Sequence, residues 1–209
     1  RRLLENPHLC MLPADLQPLV IPRARVMVSD ADWECIGPKL VDTGICGVIE
    51  ESRIHRLHGQ RLDNGLFGVV KAGKQGPTGK RILRLIFNLV PSNSLQRAVC
   101  GDIHTLAGAT CWFSVVIDDD VVQIWYGDDL VCSFYLFALP PQWMPYMVIG
   151  KPIAGYLVGR PDLMFAYLAA RVVPMGWISA VGVIQHAHRR LCLWPGPWGC
   201  GLSTYDEHR

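Results

Sequence analysis

Two apolar runs on either side of a glycine- and proline-rich stretch constrain the fold of this chain more than any other feature. Residues 65–71 and 82–89 are rich in Leu, Val, Ile and Phe, which favour β-strands. Residues 72–79 between them include Gly73, Gly76, Pro77 and Gly79, the residue types of tight turns. The pattern therefore predicts a β-hairpin with a glycine-rich tip, strands at 65–71 and 82–89, and a loop at 72–79.

The rest of the chain predicts an α+β fold. With 209 residues, half of them hydrophobic, the chain is long enough to bury a sizeable core. The other predicted elements are strands at 112–117 and 121–126 joined by a turn at 118–120, a second hairpin from 146–149 and 155–158, helices at 163–170 and 179–191, and short helices at 12–18 and 30–34.

Three regions differ in composition. Residues 1–60 are predicted to be an N-terminal extension of unclear role, 61–191 the main domain, and 192–209 an irregular tail rich in Trp, Pro and Gly. Because the chain begins at Arg1, we expect it to be a piece of a longer protein. The eight cysteines show no C-x-x-C spacing, which favours reduced thiols and an intracellular location, in the cytoplasm or nucleus. We predict neither a transmembrane helix nor a signal peptide, and no membrane partner.

Positive charge is concentrated in and after the predicted hairpin. The net charge of +2 does not indicate a polyanion partner by itself. Residues 71–97, however, contain no Asp or Glu and six cations: Lys71, Lys74, Lys80, Arg81, Arg84 and Arg97. Such a segment suits contacts to phosphate groups, and the alternative is a solvated basic loop.

Two adjacent carboxylates follow an apolar run in the sequence Tyr126-Gly127-Asp128-Asp129. A carboxylate at the edge of a buried strand is costly unless a cation meets it, which suggests a metal site; the alternative is a solvated turn. The histidine pairs His55-x-x-His58 and His186-x-His188 lack a third ligand nearby, so we expect surface or packing roles for them.

Three stretches occur in succession: LRLIFNLVPSN at 83–93, DLVCSFYLFAL at 129–139 and VPMGWIS at 173–179. Together, and in this order, they resemble successive blocks of reverse transcriptases from retroelement polyproteins. The first resembles the fingers strand that contacts the incoming nucleotide. The second resembles motif A, an aspartate followed five residues later by an aromatic residue, and the third resembles the motif B turn. The resemblance implies that residues 61–191 are a partial right-hand polymerase, a fingers β-hairpin plus an incomplete palm of mixed sheet with packed helices.

The resemblance also implies roles for individual residues. Asp129 would be the catalytic carboxylate and, with the backbone carbonyl of Leu130, a ligand of Mg²⁺ or Mn²⁺. Phe134 would be the steric gate that excludes a ribonucleotide 2′-hydroxyl. The remaining nucleotide-binding residues would be Arg84 with Lys71 or Lys74 on the triphosphate, and Gly176 and Trp177 at the template and nucleotide surface. The implied partners are an RNA or DNA template with its primer, deoxynucleoside triphosphates, and the downstream domains of a polyprotein.

The chain departs from the family pattern in two places. Met175 replaces the glutamine of motif B, and no Tyr-x-Asp-Asp sequence follows the third block. We therefore expect no polymerase activity from this chain alone. The tetrad ending in Asp129 also occurs as motif C of RNA-dependent RNA polymerases, but there it should follow a motif B, which here lies downstream. The remaining alternatives are a degenerate remnant with weak nucleic-acid binding and an unrelated α+β domain.

Overall fold

The protein has a mixed α/β fold with antiparallel sheets and few helices. The computed structural model describes residues 2–76, 79, 81–106, 116, 122 and 132–193. The helices are α1 (Arg2–Glu5), α2 (Asp30–Asp42), α3 (Val90–Asn93) and α4 (Ala180–Cys192). The strands are β1 (Cys46–Ile49), β2 (Arg56–Leu57), β3 (Gln60–Arg61), β4 (Gly65–Gln75), β5 (Arg81–Asn88), β6 (Val148–Ala154) and β7 (Phe165–Ala170). Short 3₁₀ helices include Ala14–Leu16, Glu51–Arg53, Ser133–Leu136, Pro141–Tyr146 and Gly155–Val158.

The predicted hairpin is confirmed as β4 and β5. The two strands pair antiparallel from Gly65 opposite Asn88 to Gln75 opposite Arg81, with an irregularity after Val70. β4 extends four residues beyond the predicted end of its strand because pairing continues past Lys71. The strands predicted at 112–117 and 121–126, with their turn, lie almost wholly outside the described residues.

A three-stranded antiparallel sheet, in the order β1-β7-β6, lies beside the hairpin. The helix predicted at 163–170 is wrong, because this segment contains β7, the central strand of the sheet. Residues 166–170 are all buried, and both edges of β7 form ladders, with Cys46 opposite Ala170 on one side and Ile149 opposite Leu168 on the other. An amphipathic helix would need a polar face, which these residues lack.

The predicted second hairpin, from 146–149 and 155–158, is also wrong. β6 continues through Ala154 and pairs with β7, so its hydrogen-bonding partner lies further along the chain. Gly155–Val158 forms a 3₁₀ helix that ends at Gly159, whose φ of +75° begins the turn back towards β7. The helix predicted at 179–191 is confirmed as α4, and that at 30–34 as the first part of α2. The N-terminal segment at 12–18 contains only the 3₁₀ helix Ala14–Leu16.

One main core joins residues from the first 60 positions with those of the later segments. Trp33, Leu40 and Cys46 are buried in the same cluster as Phe87 and Leu168. The N-terminal segment, whose role the sequence left open, therefore supplies part of the core on which β5 and β7 pack. Within the described part of the chain, no helix is both long and apolar enough to cross a membrane.

The buried Asn64 side chain connects the base of the hairpin to the sheet and to α3. Its Nδ2 donates to the carbonyl oxygens of Tyr146 at 3.2 Å and Val148 at 3.0 Å. Its Oδ1 accepts from the backbone N–H of Ser92 at 3.2 Å and from the Ser92 hydroxyl at 2.8 Å. The Ser92 hydroxyl also contacts the Tyr146 carbonyl oxygen. Because buried polar groups are costly without partners, this network fixes where the hairpin begins.

Candidate functional site

The hairpin tip presents positive charge around a shallow concavity of about 490 Å³. Lys71 and Arg81 line it together with the backbone of Gly73, whose φ is +70°. Lys74 belongs to β4. Arg84 is exposed on β5, opposite Val69, and is not one of the lining residues.

Among the described residues, no ion pair involves Lys71, Arg81 or Arg84. Since Lys and Arg contribute to phosphate binding mainly when their charge is available, the hairpin surface suits an anionic ligand.

The second block is described only from Cys132 onwards. Asp129 and Leu130, the predicted catalytic and metal-binding residues, lie outside the described residues. Cys132 has a φ of +56° and precedes the 3₁₀ helix Ser133–Leu136. Phe134 in this helix is half-buried and packs against the main core. The predicted steric gate thus stands at the edge of the core rather than fully in solvent.

Tyr135, which the sequence analysis did not single out, joins the second block to β5. Its hydroxyl donates a 2.6 Å hydrogen bond to the carbonyl oxygen of Leu85. Burial, with smaller effects of Cys132 and Cys46, raises the pKa of Tyr135 to about 12, so the phenol is protonated at neutral pH. Tyr135 follows the predicted gate residue Phe134 directly and Leu85 follows Arg84, so this bond holds two predicted nucleotide-binding segments side by side.

The third block packs against the other end of β5 and α3. Gly176 has a φ of +109°, and a Cβ atom added there would overlap with the Phe87 carbonyl oxygen. The Asn93 side chain donates to the Gly176 carbonyl oxygen at 2.8 Å and accepts from the Ile178 backbone N–H at 3.0 Å. Only glycine allows this approach in this backbone conformation, which gives a physical reason for the glycine of the block.

Trp177 is a core residue. Its ring is 3% exposed and packs edge-on against Trp143, with the ring centroids 4.9 Å apart. Its indole N–H donates to Gln96 Oε1 at 2.8 Å. Its side chain supports the turn from inside, while Gly176, which is exposed, presents backbone at the surface.

The structure therefore brings the described parts of all three blocks together on β5 and α3. Sequence reasoning identified the blocks but missed Tyr135 and Asn93, the two side chains that connect them. Neither has a local sequence signal, because their partners Leu85 and Gly176 lie 50 and 83 positions away. Elsewhere in the described ranges, no group of three or more His, Cys, Asp or Glu side chains is arranged to hold a metal ion.

The chain matches no protein-family model and no curated protein. It is similar in structure to the foamy viral protease-reverse transcriptase dRH in complex with ds DNA, with a TM-score of 0.49 at 10% sequence identity. That match covers 88% of this chain and 28% of the viral chain, so the chain spans less than a third of the length of that protein.

Proposed function

We propose that the chain contributes the fingers and part of the palm of a retroelement-type RNA-directed DNA polymerase, a nucleotidyltransferase. The observation that supports this proposal is the packing of three sequence blocks on β5 and α3, through Tyr135 to Leu85, Gly176 to Phe87, and Asn93 to Ile178. The blocks were identified from their order in the sequence. Contacts between them are expected if they build one site, since catalytic and binding groups must be held in a fixed geometry.

The basic hairpin would bind the triphosphate and template phosphates. Lys71 and Lys74 in β4 and Arg84 in β5 are the residues proposed for this contact. In a phosphoryl-transfer site such cations act by positioning the phosphates and stabilising charge that develops on them. Phe134 is proposed as the steric gate for the sugar. Gly176 is proposed to shape the template and nucleotide surface, and Trp177 to do so indirectly, by supporting the turn from the core.

Asp129 and the Leu130 carbonyl are proposed as ligands of Mg²⁺ or Mn²⁺. Carboxylate and carbonyl oxygens are the hard donors that these ions prefer. A bound divalent ion would lower the barrier by neutralising charge on the transferred phosphoryl group. One carboxylate is too few for a two-metal site, so the other carboxylates must come from a further segment. We therefore propose that the 209-residue chain does not extend primers by itself and acts with further polyprotein domains downstream.

A degenerate, non-catalytic nucleic-acid-binding remnant is the second candidate. The available cations of the hairpin support this candidate as well as they support the polymerase proposal, because nucleic-acid binding needs charge but no metal site. An RNA-dependent RNA polymerase is the third, and the order of the blocks argues against it.

The binding half of the proposal is tested by replacing hairpin cations. We expect Lys71→Ala/Arg84→Ala to weaken binding of a labelled DNA primer–template, measured by fluorescence anisotropy between 50 and 300 mM NaCl. Each lost phosphate contact lowers the slope of log K against log salt concentration by about 0.9, so the slope should fall by about 1.8. Lys39→Ala/Arg190→Ala removes two exposed cations from other elements and is the matched control. An unchanged slope in the hairpin variant, relative to this control, contradicts the role of the hairpin.

The catalytic half is tested by magnesium-dependent primer extension. The 209-residue chain should give no extension product at any magnesium concentration. If a longer chain that supplies a Tyr-x-Asp-Asp segment extends the primer, and its Asp129→Asn variant does not, the enzyme proposal is supported. Extension by the 209-residue chain alone would refute its proposed inactivity, and failure of the longer chain would favour the binding-only remnant.

A further inference from the structure

A second basic site lies away from the hairpin tip, in a cleft of about 560 Å³. Residues 22–25 line one side of the cleft, and we call residues 21–25 the wall segment. The other side is the β2–β3 hairpin with its flanking residues. We call it the arginine cleft because four of its lining residues are arginines: Arg23, Arg25, Arg56 and Arg61. It shares no lining residue with the concavity at the hairpin tip.

The wall segment is fixed in place at both ends. At one end, the backbone N–H and carbonyl of Ile21 form hydrogen bonds of 2.9 and 3.0 Å with the Gln60 side chain. At the other end, the Arg25 carbonyl oxygen accepts from the Leu66 N–H at 3.2 Å. The backbone approach is so close that a Cβ atom at Gly65 would overlap with the Arg25 carbonyl oxygen. Arg23 and Arg25 therefore project from an ordered backbone, which lowers the entropic cost of binding.

On the opposite wall, Arg61 is held by Asp63 and Tyr167. Its Nε lies 2.8 and 3.0 Å from the two Asp63 carboxylate oxygens, and its Nη1 donates to the Tyr167 hydroxyl at 2.6 Å. The guanidinium group also stacks over the Tyr167 ring, 4.5 Å from its centroid. Such a planar group, already fixed, loses little freedom when it binds an anion.

The two carboxylates that line the cleft, Glu51 and Asp63, are both paired with arginines of the cleft. Asp63 is paired with Arg61, and a single oxygen of Glu51 is shared by Arg56 at 3.2 Å and Arg61 at 3.1 Å. Within the described ranges, neither Arg23 nor Arg25 forms an ion pair, and both are exposed. The cleft thus has two positive charges in excess, on the arginines without carboxylate partners.

We propose that the arginine cleft binds backbone phosphates of single-stranded nucleic acid and is a second contact surface of the same protein. This inference rests on the proposed function and extends it. Arginine forks match phosphate geometry, and an open basic groove that follows the backbone is the usual basis of sequence-independent single-strand binding. Asp63 at the cleft and Lys71 near the hairpin tip are eight residues apart along an extended segment, about 26 Å at the rise of a β-strand. One strand of several nucleotides would span both sites.

The test measures binding of labelled 20-nucleotide oligo(dT) and oligo(U) to the full 209-residue chain by fluorescence anisotropy across a salt series. Arg23→Ala/Arg25→Ala should weaken binding about tenfold and reduce the salt slope by about 1.4, since each phosphate contact on a single strand contributes about 0.7. Arg23→Lys/Arg25→Lys should keep the slope, because it keeps both charges. If the double alanine variant is unstable to urea, each single variant should show half the slope change.

Two comparisons separate this inference from the proposed function. In the first outcome, the hairpin variant Lys71→Ala/Arg84→Ala weakens binding, while the cleft variant Arg23→Ala/Arg25→Ala binds as well as the Lys39→Ala/Arg190→Ala control. The cleft proposal then fails and the hairpin proposal stands. If only the wall-segment variant weakens binding, the cleft is supported and the hairpin role is contradicted.

A further experiment distinguishes backbone phosphates of nucleic acid from a free phosphate ligand. Inorganic tripolyphosphate is titrated into the wild-type chain by calorimetry, with the Arg23→Ala/Arg25→Ala variant as reference. Tripolyphosphate binding that depends on these arginines, without oligonucleotide binding, identifies a free phosphate ligand and refutes the backbone assignment. Oligonucleotide binding that depends on them supports it.

Discussion

The Tyr135 hydroxyl donates a 2.6 Å hydrogen bond to the carbonyl oxygen of Leu85, across 50 positions of sequence. Leu85 lies on β5 next to Arg84, and Tyr135 follows Phe134 in the 3₁₀ helix Ser133–Leu136. One phenol therefore connects the strand that bears the proposed triphosphate contact with the segment that bears the proposed steric gate. The bond fixes their relative position without any contribution from a ligand.

Tyr135→Phe should lower the free energy of unfolding by about 1 to 2 kcal/mol, because it removes a half-buried hydrogen bond and leaves the Leu85 carbonyl oxygen without this donor. Urea unfolding at pH 7 measures the change. Tyr156→Phe, at a tyrosine that is 71% exposed, is the control and should change stability little. Equal effects of the two substitutions would show that the Tyr135 hydroxyl contributes nothing to the free energy of unfolding.

The same tyrosine predicts a loss of stability in alkali. Its folded-state pKa of about 12 lies above the value of about 10 in an unfolded chain. The stabilisation of the folded state by the protonated Tyr135 phenol is therefore fully present below pH 10 and is lost as the pH rises towards 12. Wild type should lose more stability than Tyr135→Phe between pH 9 and 11, as measured by urea midpoints. Parallel pH profiles would contradict the assignment of the shift to this residue.

Gly176→Ala should destabilise the protein by about 3 kcal/mol, since strain at positive φ and a backbone overlap each cost about 1 to 3 kcal/mol. The added methyl group would meet the Phe87 carbonyl oxygen, so the turn of the third block must move away from β5.

Gly159→Ala separates the cost of the positive φ from the cost of the backbone overlap. Gly159 also has a positive φ, +75°, but a Cβ atom there meets nothing within 4 Å. This control should cost only about 1 kcal/mol, the cost of the backbone conformation alone. Thermal unfolding of the two variants side by side measures the difference. If Gly159→Ala is as damaging as Gly176→Ala, the approach to Phe87 is not what requires glycine.

The elements that could be predicted from sequence are those whose signal is local. The β4–β5 hairpin has its turn residues beside its strands, and α4 has an apolar periodicity over thirteen residues. β7 could not be predicted in this way, because its strand identity comes from pairing with β6, which precedes it, and with β1, which lies far away in sequence. When both faces of a short segment are buried, its periodicity does not distinguish helix from strand.

The residues of the candidate site likewise divide into those with a local sequence signal and those without one. The order of three blocks predicted which segments belong together, and Gly176 was identified by its place in the third block. Asn93 and Tyr135 were missed because a side chain that bonds a distant backbone group leaves no pattern around itself. The arginine cleft was missed for a related reason, since its arginines come from two separate segments, each of which supplies only two of them.

Asn64→Asp should destabilise the protein by about 3 kcal/mol or more at neutral pH, because a buried carboxylate would face the carbonyl oxygens of Tyr146 and Val148. Asn88→Asp is the matched control: its side-chain oxygen accepts from the Val90 N–H, which a carboxylate also does. Protonation of the new carboxyl group should restore part of the loss at pH 4, relative to wild type. Urea unfolding at pH 7 and 4 measures both effects, and a mild Asn64→Asp phenotype would contradict the structural role of the network.

His55 predicts a loss of stability in acid. Its ring stacks on Tyr146 with centroids 4.6 Å apart, and His8 lies on the same tyrosine, with Nδ1 3.5 Å from the hydroxyl. Burial first, and then the charge of His8, lower the pKa of His55 below its ordinary value. The unfolded chain therefore takes up a proton at a higher pH than the folded one, and stability decreases as the pH falls below about 6.5.

The substitution His55→Phe keeps an aromatic ring against Tyr146 and removes the titrating group. Wild type should lose more stability between pH 7.5 and 5 than His55→Phe, whereas His104→Phe, at an exposed histidine, should follow wild type. Carboxylates titrate in the same range in all three proteins, so the difference between variants, measured by urea unfolding, isolates the histidine. Identical slopes for wild type and His55→Phe would mean that the folded structure does not disfavour protonation of His55.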